Sequence, residues 1–224
     1  MSTVHEDLTG RARLRDAAIE CFAAAGFGES LRTIAARAGV SAGLVRHHFG
    51  SKEALRTECD ATVLERYRIL KAESIETDPA LLSARLPSSA EAGILLVYIL
   101  RSVREGGAAG REFIEAMIAE ALRFTRDAVT RGLVVPSRDE EARVRFLIYQ
   151  SIGALVVRMA IHPETPLDDF TGIMEQFYAD TILPTLELYT EGLFTDRNYL
   201  EQYLKYAAGT HNPPVGSAGN TASA

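Results

Sequence analysis

The residues best suited to binding chemistry lie in the segment Leu31–Phe49, which reads LRTIAARAGVSAGLVRHHF. Two short stretches with the apolar spacing of a helix meet at Ala38–Val40. Gly39 in this junction supplies the backbone freedom that a tight turn needs. A glycine-containing turn between two short helices is the sequence form of a helix-turn-helix, so we expect a DNA-binding function from this segment.

The second helix of this segment has two distinct faces. Val45, His48 and Phe49 fall at i, i+3 and i+4, so they are predicted to face the preceding helices. The other side chains form an outer face without an acidic group: Ala42 at the N-terminus, Gly43, Leu44 on the flank, Arg46 and His47. A recognition helix presents such a face to the major groove.

The stretch Ser30–Leu55 resembles the TetR family of bacterial transcriptional regulators. The shared pattern comprises Ile34-Ala35, Ala38-Gly39-Val40-Ser41, Gly43, Val45, His47, Phe49 and Ser51-Lys52-Glu53-Ala54-Leu55. Together with the preceding helix, the resemblance covers roughly residues 8–60. It implies an all-helical homodimer in which the N-terminal domain binds a palindromic operator and a variable C-terminal domain holds the effector pocket.

The resemblance also assigns roles to individual residues. It implies groove contacts by Ala42, Gly43, Leu44, Arg46 and His47, and phosphate contacts by Ser30, Arg32, Ser41 and Lys52. Position 46 departs from the family pattern, which commonly has an aromatic residue that contacts the DNA backbone. Arginine binds a phosphate equally well or reads guanine through two hydrogen bonds, so the departure bears on the operator sequence rather than on DNA binding.

The charge of the chain is unevenly distributed. Its 224 residues carry a net charge of −6, and the pI of about 5.5 taken alone argues against nucleic-acid binding. Between Leu8 and Arg56, however, eight basic residues stand against four acidic ones, which gives +4 there and −10 elsewhere. Arg11, Arg13 and Arg15 belong to this basic set, although they equally fit an ordinary solvated helix face.

Helical spacing dominates beyond this segment and predicts an all-α fold: an N-terminal three-helix helix-turn-helix domain followed by a larger helical ligand-binding and dimerisation domain. The predicted boundaries are 8–60 for the first domain, 61–205 for the second and 206–224 for a disordered tail. Four helices are expected at about 89–104, 111–133, 138–161 and 167–192, and Thr77–Pro79 is expected to end the helix before them.

Several other classes of protein fit the sequence poorly. Motifs of serine hydrolases, phosphate-binding loops and zinc proteases are absent, so we expect neither an enzyme nor a cofactor. His47 and His48 point about 100° apart on a helix, and we expect no metal site. The longest apolar run, Ile94–Leu100, is too short for a bilayer, and we expect no signal peptide, which together favour the cytoplasm.

The C-terminal half contains residues suited to an effector pocket, although apolar residues at helical spacing also form ordinary core. The candidates are Tyr98, Arg101, Phe113, Met117, Phe124, Phe146, Tyr149 and Gln150. Arg158 lies within an apolar run, where it is placed either to bind an anionic ligand or to pair with a local carboxylate. The effector itself is not identified by these residues.

Two apolar stripes in the last two long helices suggest a dimer. One comprises Val144, Leu147, Ile148, Ser151, Ile152, Leu155 and Met159, and the other Phe170, Ile173, Met174 and Phe177. The family resemblance implies that these helices pair with their copies, and the alternative is that both stripes are intramolecular core. The sequence therefore predicts a homodimeric, ligand-responsive repressor; the alternatives are an activator, a ligand-independent regulator, a small-molecule binding protein without DNA binding, or an enzyme on a helical scaffold.

Overall fold

The computed structural model describes residues 2–76 and 90–210, and the side chains of residues 10–73 and 90–209. Within these ranges the regular structure is helical throughout, which confirms the predicted all-α class. The helices are α1 (Ser2–Ala25), α2 (Leu31–Arg37), α3 (Ala42–Phe49), α4 (Lys52–Glu76), α5 (Ala90–Glu105), α6 (Gly107–Thr130), α7 (Glu140–Ile161), α8 (Phe170–Thr190) and α9 (Asn198–Thr210).

The chain divides into two units, Met1–Ala179 and Asp180–Ala224. Within the first unit we call residues up to 60 the head and residues 61–179 the body. The helix α1 packs against α2, α4 and α5, and α4 also packs against α6. One apolar core runs through both parts, from Phe22 and Val45 in the head to Phe113 and Ile148 in the body. The orientation of the head therefore depends on packing against the body.

Arg101 on α5 ties the body to the end of α1. Its Nε donates a hydrogen bond to the carbonyl oxygen of Ala23 at 3.0 Å, and its Nη2 donates one to that of Ala24 at 2.6 Å. The last carbonyls of a helix lack partners within the helix, so a guanidinium group placed there satisfies them. Its positive charge also interacts favourably with the helix dipole. Arg101, a predicted pocket residue, is thus engaged with backbone of the head.

The apolar stripe predicted on α7 as a dimer surface is partly core. Val144, Ile148 and Leu155 are buried within the first unit, and so are Ile173 and Met174 of α8. For these residues the alternative of an intramolecular core is the correct one, because α7 packs against both α5 and α6. A helix that buries one apolar face against its own chain must use another face for a second copy.

That other face of α7 is also apolar. Phe146 is 64% exposed, Val157 56% and Ile161 65%, and Tyr149 and Val156 are exposed beside them. By length and composition α7 passes for a membrane span, yet a single helix of this kind is weak evidence for one. Of the most apolar 18-residue stretch of α7, only 17% is buried within the chain. Most of this apolar surface therefore remains available to a partner.

The second unit contains a helix that the sequence analysis did not predict. α9 continues to Thr210, whereas the tail was predicted to begin at residue 206, and residues 206–210 are therefore helical. Its segment lacks glycine and proline as far as Ala208, which permits the helix. The tail residues 211–224 and the predicted stop at Thr77–Pro79 lie outside the described residues.

The break predicted between α5 and α6 is shorter than the sequence suggests. The predicted bounds, 89–104 and 111–133, leave residues 105–110 between the helices, but α6 already begins at Gly107. Gly106 and Gly107, with φ +63° and +64°, both occupy the left-handed region, so the turn uses two consecutive glycines. Ala108 and Ala109 favour helix, which allows α6 to begin before Gly110.

Replacing Arg101 with Met tests its structural role. The change keeps an extended stem but removes both hydrogen bonds to α1, so we expect the free energy of unfolding to fall by about 2 kcal/mol. Urea unfolding followed by circular dichroism measures the change. The control is Arg104→Met on the same helix, where the side chain is exposed and the expected loss is below about 0.5 kcal/mol. Equal losses in the two variants would contradict this role of Arg101.

Candidate nucleic-acid interface

The helix α2 and the turn after it have the geometry predicted from sequence. The Ser30 hydroxyl oxygen accepts a hydrogen bond from the backbone N–H of Thr33 at 3.1 Å, which caps the N-terminus of α2. Gly39 has φ +68°, a left-handed conformation in which a side chain would be strained. The backbone N–H of Val40 donates to the carbonyl of Ala35 at 2.9 Å, which fixes the turn before α3.

The two faces of α3 are arranged as the spacing predicts. Val45 and Phe49 are buried against the other head helices, and His48 is half-buried. The candidate groove residues lie on the opposite face: Ala42, Gly43, Arg46 and His47 are exposed, and Leu44 is half-buried on the flank. The outer face of α3 therefore offers a guanidinium and an imidazole group without a competing carboxylate.

The four predicted phosphate contacts lie around this face. Ser30 and Arg32 are exposed at the start of α2, and Ser41 is exposed at the N-cap of α3. Ser41 makes no capping hydrogen bond with its side chain. Lys52, at the first residue of α4, is half-buried. All four thus stand at helix N-termini, where the helix dipole favours an anion such as phosphate.

Arg11 holds α3 in position. Its Nη1 donates to the carbonyl oxygen of His48 at 2.6 Å, and its Nε donates to Glu58 at 3.1 Å. The guanidinium also lies 4.7 Å from the centre of the Phe49 ring. Because these partners are 37 to 47 residues away in sequence, local spacing contains no signal for them. Arg11 thus links α1 to α3 and α4, while its side chain stays 42% exposed.

Most other basic groups of the head are paired within the chain. Arg13 donates to the carbonyl of Ala38 at 2.9 Å, Arg15 pairs with Asp16, and Arg37 pairs with Glu20. By contrast, the guanidinium groups of Arg32 and Arg46 form no hydrogen bond or ion pair with any residue that the structure describes. The positive charge that remains for an external anion is therefore concentrated at α2 and α3.

The predicted pocket residues of the body are dispersed. The Tyr98 hydroxyl is buried and donates to the Asp60 carboxylate at 2.6 Å, and its ring lies 5.9 Å from that of Phe113. Burial raises the pKa of the Tyr98 phenol, which keeps this hydroxyl protonated as the donor. Met117 is buried core and Phe124 is half-buried on α6. Tyr98 and Phe113 are thus the pair that the structure brings together.

The predicted pocket residues on α7 lie elsewhere. Phe146, Tyr149 and Gln150 are exposed on its outer surface. Arg158 donates to the side-chain oxygen of Gln176 at 2.6 Å, so it joins α7 to α8. None of these four side chains lines the cavity of about 470 Å³ described in the next paragraph. Their position suits contact with another molecule more than enclosure of a small ligand.

A cavity of about 470 Å³ lies between head and body, and we call it the junction cavity. Phe113 is the one predicted pocket residue among its lining. The lining residues are Phe22, Phe27, Lys52, Glu53, Arg56, Thr57, Asp60, Leu64, Glu105, Ala109, Glu112, Phe113 and Ala116. Local sequence patterns contain no signal for this site, because its walls come from a loop and four helices, α1, α4, α5 and α6, spread over residues 22–116.

Arg56 links head and body at the edge of this cavity. Its Nε donates to Asp60 at 2.8 Å, and its Nη1 donates to Glu105 at the end of α5 at 3.0 Å. The guanidinium lies 3.0 Å from the centre of the Phe27 ring. Burial raises the pKa of the Asp60 carboxyl, while the hydrogen bonds from Tyr98 and Arg56 act in the opposite direction.

The fold and the outer face of α3 together define a class: a helix-turn-helix protein with a helical C-terminal body. In agreement, residues 14–59 match the family model of bacterial regulatory proteins of the tetR family, and residues 91–195 match that of tetracyclin repressor-like C-terminal domains. In the part of the chain that the structure describes, no group of three or more His, Cys, Asp or Glu residues is placed to hold a metal ion.

The sequence is also similar to the HTH-type transcriptional regulatory protein RaaS of Mycobacterium tuberculosis. The two are 42% identical over 202 residues, which is 90% of this chain and 94% of RaaS. The chain therefore belongs to the TetR family of bacterial transcriptional regulators, as the resemblance of Ser30–Leu55 predicts.

Solved structures share the fold. A FadR regulator from Bacillus subtilis, determined with stearoyl-CoA, is 17% identical with a TM-score of 0.53, and covers 82% of this chain and 99% of its own. GusR from Salmonella enterica is 24% identical with a TM-score of 0.50, and covers 77% of this chain and 95% of its own. At these identities the likeness concerns the fold alone.

Replacing Arg11 with Met tests the link from α1 to α3 and α4. The variant loses the hydrogen bond to His48 and the pairing with Glu58, so we expect the free energy of unfolding to fall by about 1–2 kcal/mol. The control is Arg37→Met, which removes an exposed ion pair with Glu20 in the same head and should cost less than about 0.5 kcal/mol. If urea unfolding shows the same loss for both, Arg11 is an ordinary surface ion pair.

Proposed function

We propose that this protein is a ligand-responsive repressor that binds a palindromic operator as a homodimer in the cytoplasm. The observation that supports this most directly is the outer face of α3, where Arg46 and His47 are exposed. Nearby Arg32 is likewise exposed at the start of α2. A recognition helix reads base edges with such side chains, while neighbouring groups hold phosphates. The proposed role is regulatory rather than enzymatic.

The predicted contacts divide into two kinds. Arg46 is long enough for a bidentate contact with guanine, and His47 adds a second polar group on the same face. The small residues Ala42 and Gly43 permit close approach of α3 to the groove. Leu44, on the flank, is the larger apolar contact. Ser30, Arg32, Ser41 and Lys52 are proposed as phosphate contacts, which position the protein without reading sequence.

The dimer is proposed to form through the exposed face of α7. Phe146, Val157 and Ile161 expose large apolar side chains along one helix, and contiguous apolar surface of this kind marks an interface. Gly153 and Ala154 between them are small enough for a second helix to approach closely. A two-fold dimer built on this face matches the two-fold symmetry of a palindromic operator.

The response to an effector is proposed to act through α4. This helix begins in the head at Lys52 and continues beside α6 in the body. A ligand that binds two arrangements of the body unequally shifts the population between them. Because half-sites one turn apart place recognition helices roughly 34–36 Å from each other, a small movement of α4 changes operator affinity.

A gel-shift assay separates this proposal from its alternatives. The probe is the DNA upstream of the protein's own coding region, titrated at low and at higher salt. Binding that weakens steeply with salt supports the DNA-binding regulator, because it reports neutralised phosphates. Absence of binding at low salt would favour a small-molecule binding protein without DNA binding. A target gene that is expressed less in the absence of the protein would favour an activator.

We predict that Arg46→Ala weakens operator binding about tenfold or more without changing the thermal midpoint. The side chain is exposed, so its loss leaves the core intact, while a base or phosphate contact is removed. Arg111→Ala, an equally exposed site on α6, is the matched control and should bind as the wild type does. Equal affinity of all three proteins in the gel shift would remove Arg46 from the interface.

We predict that Val157→Glu abolishes the dimer. The substitution places a charge in the centre of the exposed face of α7, and desolvating that charge costs more than a lost apolar contact. Sedimentation velocity should show a monomer for this variant and a dimer for Val135→Glu, whose site is exposed in the loop before α7. A dimer that persists in Val157→Glu would place the interface elsewhere.

A further inference from the structure

The junction cavity has the composition of a ligand site. Its apolar wall is formed by three phenylalanines, Phe22, Phe27 and Phe113, together with Leu64. Its volume of about 470 Å³ suits a small organic molecule. Phe22 is fully buried and Phe113 nearly so, so they support the wall from the shared core, while the half-buried Phe27 and Leu64 present its accessible surface.

The polar wall of the junction cavity contains more acidic than basic side chains. The carboxylates of Glu53, Asp60, Glu105 and Glu112 stand against two basic side chains, Lys52 and Arg56. Arg56 is already engaged by two of the carboxylates, Asp60 and Glu105. Glu53, Glu105 and Glu112 are exposed, so this excess of negative charge faces the solvent at the cavity and favours a cation over an anion.

Arg56 itself shows how a cation is accommodated here. Its guanidinium stacks on Phe27, lies 5.6 Å from the centre of the Tyr98 ring and pairs with the two carboxylates. A cation over an aromatic face is stabilised by the ring quadrupole. The cavity thus combines aromatic rings with carboxylates, the two kinds of group that already bind the chain's own guanidinium.

We infer that the junction cavity is the effector site, and that it binds an organic cation with an apolar body. This inference rests on the proposed ligand-responsive function. The cation pairs with Glu105 and Glu112 while its apolar part lies against Phe27 and Leu64. By competing for Glu105, the ligand weakens the Arg56–Glu105 link between α4 and α5. Occupancy of the cavity is thereby coupled to the position of the head.

Isothermal titration calorimetry on the full chain tests the site with three probes of similar shape: phenylbutyl-trimethylammonium, neutral phenylbutanol and anionic phenylbutyrate. We expect the cation to bind most tightly, the alcohol about tenfold more weakly, and the anion not at all. Affinity that does not differ among the probes, or that is highest for phenylbutyrate, overturns the inference.

Two variants locate the site. Glu105→Gln and Glu112→Gln remove one carboxylate each and keep the side-chain shape, so each should weaken binding of the ammonium probe about threefold to fivefold. Glu115→Gln is the matched control, since Glu115 lies on α6 but pairs with Arg145 and does not line the cavity. Thermal midpoints confirm that the variants are folded. Unchanged affinity in the two cavity variants overturns the assignment of the site.

A gel shift on the same samples separates this inference from the proposed function. Operator binding without probe that weakens when the ammonium probe is added supports the effector role. Probe binding in the calorimeter with operator affinity unchanged overturns that role. Absence of operator binding in every sample contradicts the proposed regulator instead, and calorimetry still decides whether the cavity binds a cation.

Discussion

The structure depends on one constraint: the head and the body share a single apolar core. A small head buries a smaller fraction of its surface than a larger domain does, so a shared core stabilises it. Leu55, Cys59 and Val63 of α4 are fully buried in this core, and α4 packs against both α5 and α6 of the body. Because α3 packs against α1, α2 and α4, the packing of α1 and α4 on the body also bears on the orientation of α3.

Several basic side chains of the head form hydrogen bonds or ion pairs within the protein, and fewer remain for DNA. The net charge of +4 between Leu8 and Arg56 overstates what is available to phosphate, because Arg11, Arg13 and Arg56 are engaged inside the protein. Arg32 and Arg46 remain at the surface. Local charge thus predicted the correct domain for nucleic-acid binding, but the geometry identifies which cations can take part.

The sequence was sufficient for features that depend on neighbours along the chain. The burial of Val45 and Phe49 follows from helical spacing, and the turn at Gly39 follows from its backbone freedom. Contacts between distant segments left no such signal, as the Arg56–Glu105 pair shows. α7 is apolar on two faces, so spacing alone did not reveal that Ile148 faces the core and Val157 the surface.

Hydroxyl-radical footprinting of the DNA upstream of the coding region tests whether a homodimer reads a palindrome with α3. We expect two protected patches on one face of the duplex, related by two-fold symmetry and separated by one turn, roughly 34–36 Å, or by a multiple of it. Protection should disappear together in both patches as salt is raised. A single unsymmetrical patch would contradict a homodimer that reads a palindrome with α3. Uniform cleavage of the DNA at low salt and saturating protein would contradict it as well.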